Sequence, residues 1–315
     1  MINEKLYQGF NHKFLVDETV NETVAFPILG DKHKNDVAPV SGNDDSILNY
    51  FNYSAQLSVS RKFPFFTASN IDGALFQRAI RAPSWKKDER AESFQWGQEL
   101  YGADKSDFDK GHMTKREDVQ WGRTQGLAQK AADSTFFYSN AVPQHKELNQ
   151  QIWKSLEDYI LHTETRKKSL KICVFTGPIL SKNDPPFITK VKNETILIPL
   201  IFWKVVVFPK EDDKLYRVGF MMSQRKLLAE NGIIETLEAA TAEDELFMQF
   251  DDAATYQVNV SLIEQLADIK LTKSIDAYKD DRSIKLVLKE IDIDPDLESF
   301  SIPQTLGFSI SNIIL

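Results

Sequence analysis

Asp109-Lys110-Gly111-His112, followed by Ser139-Asn140-Ala141-Val142-Pro143-Gln144 and then by Leu148-Asn149-Gln150-Gln151-Ile152-Trp153, is the most informative part of this chain. It gathers an imidazole, an ammonium group and two asparagine carboxamides within about forty positions. Such groups suit hydrolysis of a phosphodiester with one hard metal ion. An imidazole takes a proton from water near neutral pH. An uncharged oxygen ligand seats Mg²⁺ and leaves most of its waters in place. A lysine offsets charge building on phosphate oxygens.

Working outward from these runs, Lys110 to Met113 reads as a short strand or strand end, preceded by irregular loop from Trp96 to Asp109. Thr124 to Ala132 reads as a helix, and the aromatic run Thr135 to Ser139 as extended. Leu148, Ile152, Leu156 and Ile160 recur every four residues, which predicts an amphipathic helix to about His162. Upstream, Tyr53 to Ser60 alternates Ala55, Leu57 and Val59 with polar partners, as a half-buried strand should. Phe63 to Ser69 follows and ends at the turn signal Asn70-Ile71-Asp72-Gly73. Downstream, Leu170 to Thr176, Thr195 to Phe208 and Leu215 to Met222 are nearly continuous in Val, Ile and Phe, which predicts central strands covered on both faces. Ser261 to Ala267 reads as a helix and Ser283 to Leu288 as a shorter strand. The fold class expected is α+β, a central antiparallel sheet flanked by helices. With no glycine- or serine-rich linker, the organisation expected is an N-terminal wrapping segment (1–46), one main domain (47–275) and a C-terminal extension (276–315).

Phe is abundant at 21 and Gly sparse at 13, so fibrous and low-complexity readings fail. The formal net charge of −8 looks wrong for a nucleic-acid binder until it is localised. From Arg78 to Lys168 there are 16 Lys/Arg against 14 Asp/Glu, whereas Glu211 to Glu298 has 21 Asp/Glu against 10 Lys/Arg. The acidity therefore sits away from the motif, as solvated acidic surface or as the end facing away from a polyanion. The single cysteine, Cys173, excludes an intrachain disulfide and suits a reducing compartment. The N-terminus lacks a signal-peptide core, and the run Ile196 to Phe208 is too short to span a bilayer. A cytoplasmic location, with no membrane association, is expected.

Each candidate has a plainer reading beside the functional one. A lone histidine is more often structural, but His112 sits beside Gly111, where a backbone or phosphate can approach closely. Asn149 opens the predicted helix and would cap it well, yet a cap can also be an oxygen ligand. Glu157, eight residues on, lies roughly 12 Å along a regular helix axis. It is better placed to orient a metal-bound water than to share the ion. Arg78 and Arg81 would be ordinary surface cations elsewhere; here their segment is the best source of a forked guanidinium grip on phosphate. Arg116 and Arg123 track a substrate backbone or are simply solvated. Cys-x-x-Cys, His-Glu-x-x-His, Walker-type glycine loops and Gly-x-Ser-x-Gly are all absent from the sequence.

At these residues the chain resembles the DNA/RNA non-specific endonuclease family, the ββα-metal (His-Me finger) nucleases, a group that includes secreted bacterial nucleases and mitochondrial endonuclease G. Asp109-Lys110-Gly111-His112 stands for the family's Asp-Arg-Gly-His, and Ser139-Asn140 through Pro143-Gln144 for its Thr/Ser-Asn-x-x-Pro-Gln. Leu148-Asn149 through Trp153 and Glu157 matches its Phe/Leu-Asn-x-x-x-Trp-x-x-x-Glu. Phe65 to Gly73, Arg116 to Asp118, Val174 to Pro178 and Ser223-Gln224 extend the likeness. The resemblance implies a ββα-metal motif with His112 as general base, Asn149 as direct Mg²⁺ ligand (Mn²⁺ as an alternative ion), Glu157 as organiser of the ion's waters, Arg81 as phosphate-stabilising cation and Asn140 fixing the geometry. Lys110 stands where the family has arginine, keeping the charge and losing the forked donors.

The activity so implied is hydrolysis of DNA and/or RNA to 5′-phosphate ends with weak sequence preference. It should fall as pH drops through the range where an imidazole protonates, about 6.5. Homodimerisation is common in the family. A nuclease retained in its own cell further implies an inhibitory or activating protein partner. Two rivals stand beside this reading: a catalytically silent relative that binds nucleic acid without cutting it, and a phosphodiesterase acting on small nucleotides.

Overall fold

Runs of Val, Ile and Phe long enough to be buried on both faces become the middle of one antiparallel sheet. The computed structural model describes residues 8–80, 84–146, 156, 160, 169–234, 250, 254–292 and 306–315. In chain order its strands are β1 (Ile28–Leu29), β2 (Leu48–Asn49), β3 (Tyr53–Leu57), β4 (Pro64–Asp72), β5 (Phe108–His112), β6 (Ala141–His145), β7 (Lys171–Pro178), β8 (Ile201–Pro209), β9 (Leu215–Ser223), β10 (Thr255–Val258), β11 (Ile269–Lys270), β12 (Ile275–Asp276), β13 (Ile284–Lys285), β14 (Leu288–Asp292) and β15 (Leu306–Ile310). The helices are α1 (Gln98–Tyr101), α2 (Gln125–Ser134), α3 (Arg225–Glu230) and α4 (Val260–Ala267).

The main sheet runs β13-β10-β9-β8-β7-β4-β3-β2, with β12 added in parallel against β9. Every residue of β4 is buried, as are Ile201 to Val207 of β8, so the α+β reading with a central antiparallel sheet holds. The predicted strand beginning at Thr195 starts only at Ile201. Residues before it pair elsewhere: Ile198 N–H donates to Pro185 O at 2.9 Å, and Leu197 bridges Pro186. Thr135 to Ser139 also departs from its extended reading, because Tyr138–Asn140 closes a 3₁₀ turn through the Asn140 N–H to Phe137 O bond of 2.9 Å. Consecutive aromatics imitate a strand, but here Phe136 and Tyr138 are core-facing residues on a corner. The segment read as loop before Asp109 contains the short helix α1.

The chain before the sheet lies against it. Phe10 N–H donates to Ser54 Oγ at 2.8 Å and Asn11 N–H to Asn70 Oδ1 at 2.6 Å, while Phe10, Leu15, Val20 and Val24 enter the main core. At the other end, Gln257 of β10 grips the backbone of Ile314 from both sides, donating to its O at 2.6 Å and accepting from its N–H at 2.9 Å. Among the described residues no helix is long and apolar enough to cross a membrane.

Strands β5 and β6 form a separate antiparallel hairpin. Gln224, buried just after β9, fixes where that hairpin hangs: its Nε2 donates to Pro143 O (3.2 Å) and Pro199 O (2.7 Å), and its Oε1 accepts from His145 N–H (2.8 Å). The helix predicted after the hairpin falls largely outside the described residues. Of its four-residue repeat, Leu156 and Ile160 are described, and both are buried in the main core.

Candidate active site

The register of the hairpin decides which side chains meet. Lys110 pairs with Pro143, Gly111 with Val142 and His112 with Ala141. Residues two apart on a strand share a face, so Lys110 and His112 project together. One wall of rings confirms this. Trp85 packs 4.6 Å from the His112 ring, Phe136 meets it edge-on at 5.1 Å, and Tyr138 lies 5.6 Å from Trp85. Tyr138 stacks on Tyr101 at 5.8 Å, and the Lys110 ammonium sits 5.5 Å from the Tyr101 ring centre. The imidazole and the ammonium group are therefore linked through a continuous aromatic surface. Burial and the neighbouring Tyr138 push the Tyr101 phenol well above its ordinary range, so it contributes as a neutral ring.

Between them, Gly111 is required by contact. A Cβ there would overlap the side chain of Gln144, whose carboxamide is fully buried. Both polar atoms of that carboxamide lack a hydrogen-bond partner among the described residues. Gly111→Ala should displace the buried Gln144 side chain, costing about 1–3 kcal/mol as overpacking does. Chemical unfolding and a cleavage assay would register this as lower stability and lower activity together; unchanged stability would contradict the contact.

Asn140 occupies the corner leading into β6. Its Nδ2 donates to Thr114 O (2.9 Å) and Thr135 O (3.0 Å), and its Oδ1 accepts from Thr114 N–H (2.8 Å). It therefore ties the chain leaving β5 to the chain entering β6, which lets it fix the site without touching substrate. Ser139 beside it is held by a second buried network. Tyr50 Oη lies 2.5 Å from Ser139 Oγ and donates to Asp88 at 2.7 Å, and Arg90 braces Asp88 at 2.6 Å. Burial would raise the Asp88 carboxyl, but Arg90 and the Tyr50 hydroxyl outweigh it and hold it low.

The remaining cations separate. Arg116 is buried, its Nη2 2.5 Å from Glu117 and its Nη1 3.3 Å from Ala79 O. Burial works against ionisation of Glu117, yet Lys115 and Arg116 hold its carboxyl down to about 2. A guanidinium so engaged acts as a tie between segments rather than as an arm toward a polyanion. Arg78 is half-buried and Arg123 exposed. Arg81, Asn149 and Glu157 lie outside the described residues. Among the described residues no cluster of three or more His, Cys, Asp or Glu could hold a metal. A caged zinc-type site has no support in them, whereas a hydrated hard cation resting on one carboxamide oxygen needs no such cluster.

A sequence model of the DNA/RNA non-specific endonuclease family matches residues 30–277. This chain belongs to that family. The uncharacterized protein y4fB of Sinorhizobium fredii is 35% identical over 230 residues, covering 69% of this chain and 33% of that protein. Mitochondrial endonuclease G of Bos taurus is 32% identical over 123 residues, covering 37% of this chain and 38% of the bovine one. The chain thus spans about a third of the length of either curated relative. A solved structure described as the EndoG/EndoGI complex, on the mechanism of EndoG inhibition, aligns with a TM-score of 0.49 at 20% identity over 71% of this chain and 84% of its own.

Within this non-specific endonuclease family member, the residues that sequence reasoning missed are Tyr101, Phe136 and Tyr138, with Trp85 seen only as a neighbour of Arg81. They come from three segments, around positions 85, 101 and 136–138, with no period linking one segment to the next. The available signal was compositional, an unusual density of aromatic side chains between positions 85 and 138.

Proposed function

We propose that this chain is a divalent-cation-dependent, sugar-non-specific endonuclease that hydrolyses phosphodiester bonds of DNA and/or RNA to 5′-phosphate ends. The observation that carries the reading is the shared face of the β5–β6 hairpin, where Lys110 and His112 stand two residues apart against one aromatic wall. There His112 takes the proton from an in-line water as the water attacks phosphorus. Lys110 and Arg81 offset the charge gathering on the phosphate oxygens, and Asn140 keeps the two ends of the hairpin in register. Mg²⁺, or Mn²⁺ in its place, held by Asn149 with Glu157 ordering its waters, would polarise the phosphate and stabilise the departing oxygen. Arg78 and Arg123 track the strand's backbone. Arg116 has the same role in the sequence reading, but its guanidinium is committed to Glu117 and Ala79, so its contribution is to shape the surface.

Plasmid nicking with Mg²⁺ and with EDTA tests the reading, repeated on single- and double-stranded DNA and RNA. Cleavage of both sugars only when metal is present is expected. Binding without cutting would leave a silent relative instead. Asn149→Ala should raise the Mg²⁺ needed for half-maximal cleavage by at least about tenfold, an effect that even outer-shell partners of a metal carry. A metal titration superimposable on the parent's would remove Asn149 from the role. Unrestrained cleavage would harm the cell that makes it, so the proposal includes a restraining protein partner or trigger. Harmless expression of a freely active protein would dispose of that part.

A further inference from the structure

A cavity of about 580 Å³ opens where the turn at residues 32–36, the segment following β3 and the loop at 180–197 come together. It shares no lining residue with the hairpin site, and its volume falls within the range of small-molecule pockets. Its apolar surface includes Phe65 and Trp96, and the His33 ring lies 5.0 Å from Phe65 at 44°. Burial is the main cause holding the His33 imidazole below its ordinary range. Lys32 and Arg61 add to this against the pull of Asp268 and Asp36, so the ring presents a neutral face near pH 7.

The acidic groups around the cavity are already engaged. Asp36 accepts from Ser58 Oγ and from the N–H and Oγ of Ser60 at 2.9 and 2.8 Å. Glu194 pairs with Lys62 at 2.8 Å and Asp184 with Arg61 at 2.6 Å. The basic groups are not all spent. Arg61 uses Nη1 on Ser181 O (2.9 Å) and Nη2 on Asp184 and Leu197 O (2.8 Å), and its Nε–H is buried with no hydrogen-bond partner among the described residues. Lys32 and Lys182 are exposed at the rim, and neither ammonium group forms an ion pair among the described residues. Two ammonium groups at the rim, with the Arg61 guanidinium charge behind them, suit phosphate. The His33, Phe65 and Trp96 rings line one side of the cavity with aromatic surface against which a heterocycle can pack.

We propose that this cavity binds a nucleoside monophosphate, its phosphate at the rim formed by Lys32 and Lys182 beside Arg61 and its base against the aromatic side lined by His33, Phe65 and Trp96. The choice of a nucleotide among aromatic anions rests on the nuclease reading, whose products end in such phosphates; the site itself does not.

Calorimetric titration of the full chain with adenosine 5′-monophosphate, adenosine and inorganic phosphate tests this, with plasmid cleavage followed in the same preparations. The monophosphate should bind His112→Ala as it binds the parent. Binding should weaken by at least about tenfold in the Lys32→Glu, Lys182→Glu double variant, the scale of one lost charge-assisted contact. That variant should keep its melting temperature and its cleavage, and the milder Lys32→Gln, Lys182→Gln pair should weaken binding in the same direction. Adenosine or phosphate alone should bind more weakly than the monophosphate. Three results would overturn the site: no binding at millimolar monophosphate, equal affinity in the lysine variants, or loss of binding in His112→Ala, which would move the ligand to the hairpin. Lysine-dependent binding by a protein that never cuts would sink the hydrolase reading and leave this site standing.

Discussion

His112→Ala is expected to lower cleavage by roughly 10²–10⁴-fold, the range attributable to a positioned general base. The imidazole is also a packing element, tilted against Trp85 at 4.6 Å and edge-on to Phe136 at 5.1 Å. Alanine therefore removes chemistry and contact together. His112→Phe separates them, because it keeps a ring between Trp85 and Phe136 and has no nitrogen to accept a proton. Both variants should remain folded by circular dichroism, and both should be nearly inactive at every metal concentration tried. If the base role is right, the phenylalanine variant is no better than alanine despite its restored packing. Near-native turnover in His112→Phe would show that the residue serves only the aromatic wall, and the catalytic assignment would have to move elsewhere.

That wall gives the hairpin a physical basis for its departure from the family motif. A guanidinium at position 110 would be pre-organised by its own planarity. An ammonium group on a four-carbon stem is not, and here it lies near the Tyr101 face, which α1 carries and Tyr138 backs by stacking. A cation held by a ring loses less freedom when phosphate arrives than one waving in solvent. Lysine at this position therefore comes with a local means of placing its charge.

Much of this was legible in the chain, and for identifiable reasons. Central strands β7, β8 and β9 announce themselves because burial on both faces demands unbroken apolar runs. The likeness to the family motif singles out His112, Asn140 and Lys110 as candidates, because the chemistry proposed for each calls for its own kind of side chain. What the sequence withholds is register and pairing. Nothing local says that Gln144 will press on Gly111, or that Gln224, eighty positions from the hairpin, will carry its weight. Nothing local separates Arg116, buried against Glu117, from Arg123 in solvent, since charge alone does not tell a tie from an arm. The aromatic wall is illegible for the same reason, being assembled from three segments far apart in sequence.

Asn140→Ala should destabilise the protein by about 3 kcal/mol, because three buried backbone groups lose their partner at once. Thr114 N–H, Thr114 O and Thr135 O all sit in the interior, and among the described residues the asparagine side chain satisfies all three across the corner. Asn140→Asp sharpens the test. It preserves volume and an oxygen, yet it replaces the amide that donates to two carbonyls with another acceptor. If Asn140 were a direct ligand to a cation or phosphate, the aspartate would hold the fold and chiefly alter metal dependence. If it positions the hairpin, aspartate should lower the urea midpoint about as much as alanine, and cleavage by either variant should recover partly when temperature is dropped to refold the corner. A midpoint equal to the parent's in both variants, with cleavage lost, would overturn the positioning role and put Asn140 in contact with the reacting groups.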